Sequence, residues 1–213
     1  MSHRPPTDRP LVIAHRGASW DEPENTLRAF ERAIAVGADF IELDVHAAPD
    51  GTPLVVHDPP GAAAVPTLAE VVEATRGRIG LMVELKSPHR YRGRRIVERT
   101  LALLGDDDLV LSFERRALER AHALRPRLRI VQHVGFGVSI RAAAAYAWGV
   151  GLADERVTSA SLTAARRLGL ATTVYTVNEA GRMADLLRLG VDGIYSDRPD
   201  VLRAEVERLR TDA

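Results

Sequence analysis

Cysteine is absent from this 213-residue chain, which removes disulfides, thiolate metal sites and a cysteine nucleophile in one stroke. Lysine is almost absent: of 29 basic residues only Lys86 is a lysine, the rest being arginine. No excess of charge exists, because 29 acidic residues balance the 29 basic ones, so nothing draws the chain as a whole to nucleic acid or an anionic membrane. Apolar runs of membrane-spanning length are also missing, and residues 1–10 are polar and proline-rich with no apolar signal core. Together these absences read as a cytoplasmic chain with a flexible leader over 1–10 and one domain over 11–213, large enough for a single buried core.

What is present is an alternation of short β-branched runs with longer Ala/Leu/Arg segments of helical period, the pattern of a parallel sheet built from βα units. Strands are expected at 11–15, 40–46, 81–86, 109–113, 129–133, 150–153, 172–177 and 193–195. Eight such strands predict a closed (β/α)₈ TIM barrel. A ninth, at 54–57, follows the turn signal Asp50-Gly51 and should pair antiparallel with the second strand as an added hairpin. With the tip at 50–51, cross-strand partners sum to 101 and Asp44 lies opposite His57. Asn25 or Thr26 is the expected cap of the first helix, Thr67 starts the second, and Ser87-Pro88 starts the third.

Chemistry concentrates where this fold puts it, at the C-terminal ends of strands. His15 and Arg16 end the first strand, Glu42 and Asp44 the second, Glu84 and Lys86 the third. Alternation along the strand puts Glu42 and Asp44 on one face. Three carboxylates without a thiol are oxygen ligands suited to Mg²⁺ or Ca²⁺. Arg16 offers a forked donor for a phosphate and Lys86 a point charge, the role for which arginine is the poorer substitute. His15 and His57 are the candidate acid and base, titrating near neutrality, with Asp58 to orient one of them. His46, two residues beyond Asp44 on the same face, either touches substrate or is an exposed hairpin residue; His3, His89, His122 and His133 read as structural. Arg90, Arg92, Arg94 and Arg95 form either a solvated helix face or a basic lip on the same rim, and Asp106-Asp107-Asp108 reads as a solubilising loop at the opposite end.

The ordered set Ala14-His15-Arg16-Gly17, Pro23-Glu24-Asn25-Thr26, Glu42-x-Asp44, Asp50-Gly51 and His57-Asp58-Pro59 resembles the signature of glycerophosphodiester phosphodiesterases. Glu84-x-Lys86, Ser112-Phe113, Tyr175-Thr176-Val177-Asn178 and the run from Asp192 to Pro199 continue the resemblance over nearly the whole chain. It implies a TIM barrel that hydrolyses a glycerol phosphodiester, or in related barrels a lysophospholipid or sphingomyelin in phospholipase D fashion, to support lipid and glycerol metabolism. Glu42, Asp44 and Glu84 are then the Mg²⁺ or Ca²⁺ ligands, His15 and His57 the acid–base pair, and Arg16, Lys86 and Tyr175 the substrate contacts. Asn25, Asp58 and His46 are supporting positions. The nucleophile is either the substrate's own glycerol hydroxyl, through a cyclic phosphate, or water. A chain that kept the rim but lost turnover would instead be a phosphodiester sensor or scaffold. Two departures stand out: only residues 59–66 separate the His-Asp motif from the next helix, where the family usually carries a sizeable insertion, and Tyr175 replaces the family's usual tryptophan.

Overall fold

The computed structural model describes residues 9–61, 64–91, 93–135 and 137–211. Most of the expected leader and Arg92 therefore lie outside the described residues, whereas Arg9 is held by Asp39 through a paired contact of 2.6 and 2.9 Å. Among the described residues nine strands form: β1 (Leu11–His15), β2 (Phe40–Ala47), β3 (Pro53–Val55), β4 (Gly80–Leu85), β5 (Leu109–Ser112), β6 (Arg129–His133), β7 (Gly149–Ala153), β8 (Ala171–Tyr175) and β9 (Gly193–Ser196). All but β3 run parallel, and because β1 pairs with both β2 and β9 the sheet closes on itself. Among the described residues eight α-helices fill the intervals: α1 (Leu27–Ala35), α2 (Leu68–Thr75), α3 (Ile96–Leu101), α4 (Arg115–Leu124), α5 (Ile140–Ala143), α6 (Ser159–Arg167), α7 (Ala180–Leu189) and α8 (Pro199–Thr211). The fold is the expected TIM barrel, with β3 antiparallel on the outer side of β2.

Period-two alternation divides the strand residues cleanly. Leu11, Ile13, Phe40, Met82, Leu109, Leu111, Val131 and Tyr195 pack against one another as the barrel filling. Val83, Val110, Ile130 and Val150 turn outward into the layer shared with the helices. At the N-terminal end the Arg129 guanidinium lies over both Phe40 (5.7 Å) and Trp148 (5.8 Å), closing the floor with a cation–π stack.

Asp106, Asp107 and Asp108 are expected only to solubilise their loop, but Asp108 does more. Its carboxylate accepts from Leu81 N (2.9 Å) at the start of β4 and from Gly105 N (2.7 Å). Asp39 does the same for Val12 N in β1, and Asp192 for Thr172 N in β8, each at 2.8 Å. In each case an aspartate just ahead of one strand satisfies the second amide of the preceding parallel strand. The staggered strand starts of a tilted barrel leave such amides without a ladder partner, and a short carboxylate reaches them.

Two further expectations shift. The third helix does not begin at Ser87-Pro88: Pro88–Tyr91 forms a short 3₁₀ turn, and α3 begins at Ile96. The hairpin register is also displaced by one residue. Val45 pairs with Val55, His46 with Leu54 and Ala47 with Pro53, so partners sum to 100. Ala48 and Thr52 close the loop (Ala48 N to Thr52 O, 2.9 Å), and Asp50 Oδ1 accepts from Thr52 N at 2.9 Å. The tip is thus the three residues Pro49-Asp50-Gly51, with Gly51 left-handed at φ +88°, the geometry of a three-residue hairpin. Asp44 O consequently receives the amide of Val56 (3.0 Å), and His57 falls one residue beyond, in the bend that follows.

Thr26 caps α1 through Ala29 N, and Thr67 caps α2 in a full capping box with Glu70. Gly17 lets the chain leave β1 beneath α1. It sits at φ +86°, and a Cβ there would stand 2.7 Å from the carbonyl carbon and Cβ of Ala29. Gly17→Ala is expected to lower unfolding stability by about 2 kcal/mol, from the left-handed backbone and the clash together. Denaturant unfolding of the two proteins measures this, and equal midpoints at equal slope would refute the packing described.

Candidate functional site

The C-terminal rim gathers Glu42, Asp44 and Glu84, all buried (2%, 1% and 7% exposed), with one oxygen of each within 4.8 Å of the others. The strand register accounts for this directly: Asp44 pairs with Glu84 across β2 and β4, and Glu42 lies two residues back on the same face. Two cations answer the carboxylates. Arg16 Nε stands 3.1 Å from Asp44 Oδ2, and Lys86 Nζ lies 3.4 Å from Asp44 Oδ1 and 3.5 Å from Glu84 Oε1. Arg16 is anchored at its other end by Glu24 (2.8 Å), while its backbone amide donates to Glu42 Oε2 at 3.1 Å. Asn25 takes Asp44 from both sides, donating from Nδ2 to Oδ2 (2.9 Å) and accepting the Asp44 amide (3.3 Å).

Several backbones here adopt conformations that L-residues avoid. Arg16 (φ 57°), Asn25 (φ 56°) and Ser87 (φ 43°) are left-handed without being glycine. Each such residue costs on the order of 1–3 kcal/mol and persists only where the surroundings impose it. Asn25 N donating to Arg16 O (3.0 Å) is one of those constraints.

The charge balance is unfavourable for the carboxylates alone. Burial, then repulsion from Asp44 and Glu84, pushes the Glu42 carboxyl well above its ordinary range. Burial likewise dominates at Glu84, which rises to about 7 with Asp44 adding to the effect, against the pull of Lys86 and Arg16. Burial works against the Lys86 ammonium, yet Glu84, Asp44 and Glu42 hold it above its usual value. Three acidic oxygen donors facing two cations fit a divalent cation of the Mg²⁺ or Ca²⁺ kind, whose charge would neutralise what Arg16 and Lys86 leave over.

His15 stands at the end of β1 with Nδ1 2.7 Å from Asp197 Oδ1. Burial alone would raise Asp197, but the hydrogen bonds from His15, Asn178 and Ser19 bring it to about 2. The carboxylate is therefore ionised, Nδ1 carries its proton, and Nε2 is the nitrogen left for chemistry. Asn178 Oδ1 in turn accepts from Asp197 N (2.9 Å) and Ser196 Oγ (3.1 Å), so three residues fix one imidazole. Asp197 and Asn178 belong to the sequence motifs noted above, but motif membership assigned them no part. Their link to His15 spans more than 160 residues and exists only because closure sets β1 beside β9.

His57 is placed differently from the expectation. Its partners are Asp58 (Nδ1 to Oδ1, 3.0 Å) and, through its carbonyl, His46 Nε2 at 2.9 Å, not the carboxylate of Asp44. His46 is buried, with Nδ1 2.6 Å from Tyr91 Oη, so it is a strut for the His57 backbone and not an exposed hairpin residue. Asp58, whose side chain is 86% exposed, is a loose orienter. Tyr175, at the end of β8, stacks on His133 (4.4 Å, 25°), and Phe113 meets both rings edge-on at 5.0 and 6.0 Å. His133 is buried with neither ring nitrogen hydrogen-bonded, and burial drives its pKa down to about 3, so it serves here as a neutral aromatic plate. In the basic run, Arg94 donates to Ala47 O (3.2 Å) and lies over Tyr91, bracing the hairpin instead of forming a lip.

The model of the glycerophosphoryl diester phosphodiesterase family matches residues 15–74 and 59–201. A glycerophosphodiester phosphodiesterase of Bacillus altitudinis is 30% identical over 233 residues, covering 89% of this chain and 95% of its own. One from Bacillus subtilis is 29% identical over 252 residues, covering 91% and 85%. In shape, the chain matches a phosphodiesterase of Oleispira antarctica solved with the product sn-glycerol-3-phosphate, with a TM-score of 0.84 at 23% identity over 94% of this chain and 98% of that one.

Asp197 supplies the pH test of this site. A carboxyl held below its unfolded value contributes stability above about pH 4 and loses it as pH falls toward 2. Asp197→Asn should therefore cost on the order of 2 kcal/mol at pH 7 and progressively less below pH 4. Urea unfolding at several pH values follows the difference; a gap independent of pH would mean that Asp197 does not pair with His15 as described.

Proposed function

The chain belongs to the glycerophosphoryl diester phosphodiesterase family, and on that premise we propose that it is a divalent-cation-dependent hydrolase that cleaves glycerophosphodiesters to glycerol 3-phosphate and an alcohol. The observation that carries this reading is the buried cluster Glu42, Asp44 and Glu84 with Arg16 and Lys86 in contact at one rim. Glu42, Asp44 and Glu84 would hold Mg²⁺ or Ca²⁺, which when bound polarises phosphoryl oxygens and lowers the pKa of a coordinated hydroxyl.

The chain's own groups do the rest. Lys86, its side chain 20% exposed, keeps its charge beside Asp44 and Glu84 and offers the ammonium to a phosphate oxygen. Arg16 Nη1 donates to Glu24 while Nε lies beside Asp44 without a hydrogen bond, which orients the guanidinium and leaves the other terminal nitrogen for substrate. The Asp197 carboxylate holds His15 at Nδ1 and leaves Nε2 free, which suits His15 to take the proton of the attacking hydroxyl at Nε2. His57, more open to solvent and braced by His46, then gives a proton to the departing alkoxide. Tyr175 forms one wall of the mouth with His133 behind it.

Hydrolysis of glycerophosphocholine followed with Mg²⁺, with Ca²⁺ and with chelator tests the reading. Chelation should abolish turnover, and Glu42→Gln should reduce it by at least about 100-fold. Turnover indifferent to both would overturn the cation's part. A second outcome concerns the imidazoles: kcat should be bell-shaped in pH, and His15→Ala or His57→Ala should each lower it by about 10²–10⁴-fold. Wild-type turnover in either variant, with chemistry rate-limiting, removes that histidine from the mechanism.

A further inference from the structure

The two histidines of the site are held by different means. His15 is gripped at its ring by Asp197, whereas the ring partner of His57 is Asp58, whose side chain is mostly exposed. The backbone around His57 has left the sheet: β3 ends at Val55, and the amide of Val56 reaches back to Asp44 O before the chain bends away. The His57 carbonyl is the firmer hold, accepting from His46 Nε2 at 2.9 Å. A carbonyl only accepts, so Nε2 carries the proton of this imidazole. Burial disfavours the charged ring, which makes Nδ1 an acceptor, and the hydroxyl 2.6 Å from it is that of Tyr91.

Tyr91 is buried and held from two sides. It closes the 3₁₀ turn Pro88–Tyr91, which begins two residues after Lys86, so one connection carries both the Lys86 ammonium and this hydroxyl. The amide and Nδ1 of His89 both donate to Glu114, tying the turn to the start of α4. On the other side the Arg94 guanidinium lies over the Tyr91 ring at 5.5 Å and donates to Ala47 O at 3.2 Å, which clamps the ring against the hairpin that bears His46. The Tyr91 and His46 rings meet edge-on, their centroids 5.7 Å apart at 80°. We propose that Tyr91 is a positioning residue: by donating to Nδ1 it holds His46 in the Nε2–H form, the one neutral form that can grip the His57 carbonyl, and so sets the His57 imidazole for the departing alkoxide. That last step rests on the phosphodiesterase reading; the brace from Tyr91 through His46 to His57 does not. The other tautomer would set a lone pair against the carbonyl, and a flipped ring would aim carbon at it.

Tyr91→Phe removes the hydroxyl and keeps the ring. It should lower kcat on glycerophosphocholine at least about fivefold while KM moves less than about twofold, because Arg16, Lys86 and the carboxylates are untouched. In a His57→Ala background the same change should cost nothing further, since its effect passes through His57. His46→Leu should lose at least as much as Tyr91→Phe. His46→Gln, whose amide sets a donor and an acceptor at about the spacing of the two ring nitrogens, should recover most of that loss. Heteronuclear NMR of the imidazole nitrogens, with His46 assigned by its disappearance in His46→Gln, gives a reading independent of turnover: the Nε2–H form in the native protein and a mixture of forms in Tyr91→Phe. A mixture or an Nδ1–H ring in the native protein overturns the proposal, as does an unchanged ring in Tyr91→Phe. So does native kcat in Tyr91→Phe where His57→Ala is impaired, a loss that multiplies with that of His57→Ala, or His46→Gln no better than His46→Leu. Native turnover in His57→Ala, together with the expected tautomer change in Tyr91→Phe, would sustain the brace and dismiss the acid–base reading of His57.

Discussion

Mutual repulsion among three buried carboxylates governs the architecture of this rim. Glu42, Asp44 and Glu84 occupy positions that strand pairing makes inescapable neighbours, within 4.8 Å of each other and nearly closed to water. At an effective protein dielectric of about 20, two charges that close repel by a few kcal/mol, and desolvation adds to the cost. The surrounding structure consists largely of responses to that cost. Arg16 and Lys86 supply charge, Asn25 and the Arg16 amide supply hydrogen bonds, and left-handed backbone at Arg16, Asn25 and Ser87 accompanies these contacts. Three buried carboxylates against two cations leave a site compatible with a divalent cation.

The two ends of the barrel divide the work. At the N-terminal end, Asp39, Asp108 and Asp192 each satisfy an amide of a neighbouring strand, and Arg129 closes the floor over Phe40 and Trp148. These carboxylates accept hydrogen bonds from the ends of the sheet and hold its stagger. At the C-terminal end the carboxylates instead face one another and two cations, and the His15 imidazole is fixed by partners brought from far along the chain. The same residue type is structural at one end and chemical at the other, according to whether backbone amides or other charges surround it.

That division explains which features could be read from the chain. The strands were visible because β-branched runs alternate with helical segments, and parity alone placed Glu42 and Asp44 together. Thr67 was legible as a cap because its signal is local, Thr67 with Glu70 three residues on. The hairpin was found but its register was not. Asp50-Gly51 marks a turn without saying whether the tip holds two residues or three, and the Asp50 hydrogen bond to Thr52 decides for three. Asp197 escaped notice as the partner of His15 because barrel closure, not spacing, joins them. His46 is ambiguous from sequence for a related reason: a histidine's role depends on what meets its two nitrogens, here Tyr91 and the His57 carbonyl, whereas the structural reading of His133 holds, with only aromatic rings around it.

Glu42, Asp44 and Glu84 are proposed to hold one divalent cation. Calorimetric titration of Mg²⁺ or Ca²⁺ into protein stripped of metal tests it most directly, with Glu84→Gln as the comparison. The account predicts one saturable site per chain in the native protein and its loss, or weakening by at least about tenfold, in the variant. No saturable binding, or binding of equal strength in the variant, would contradict it.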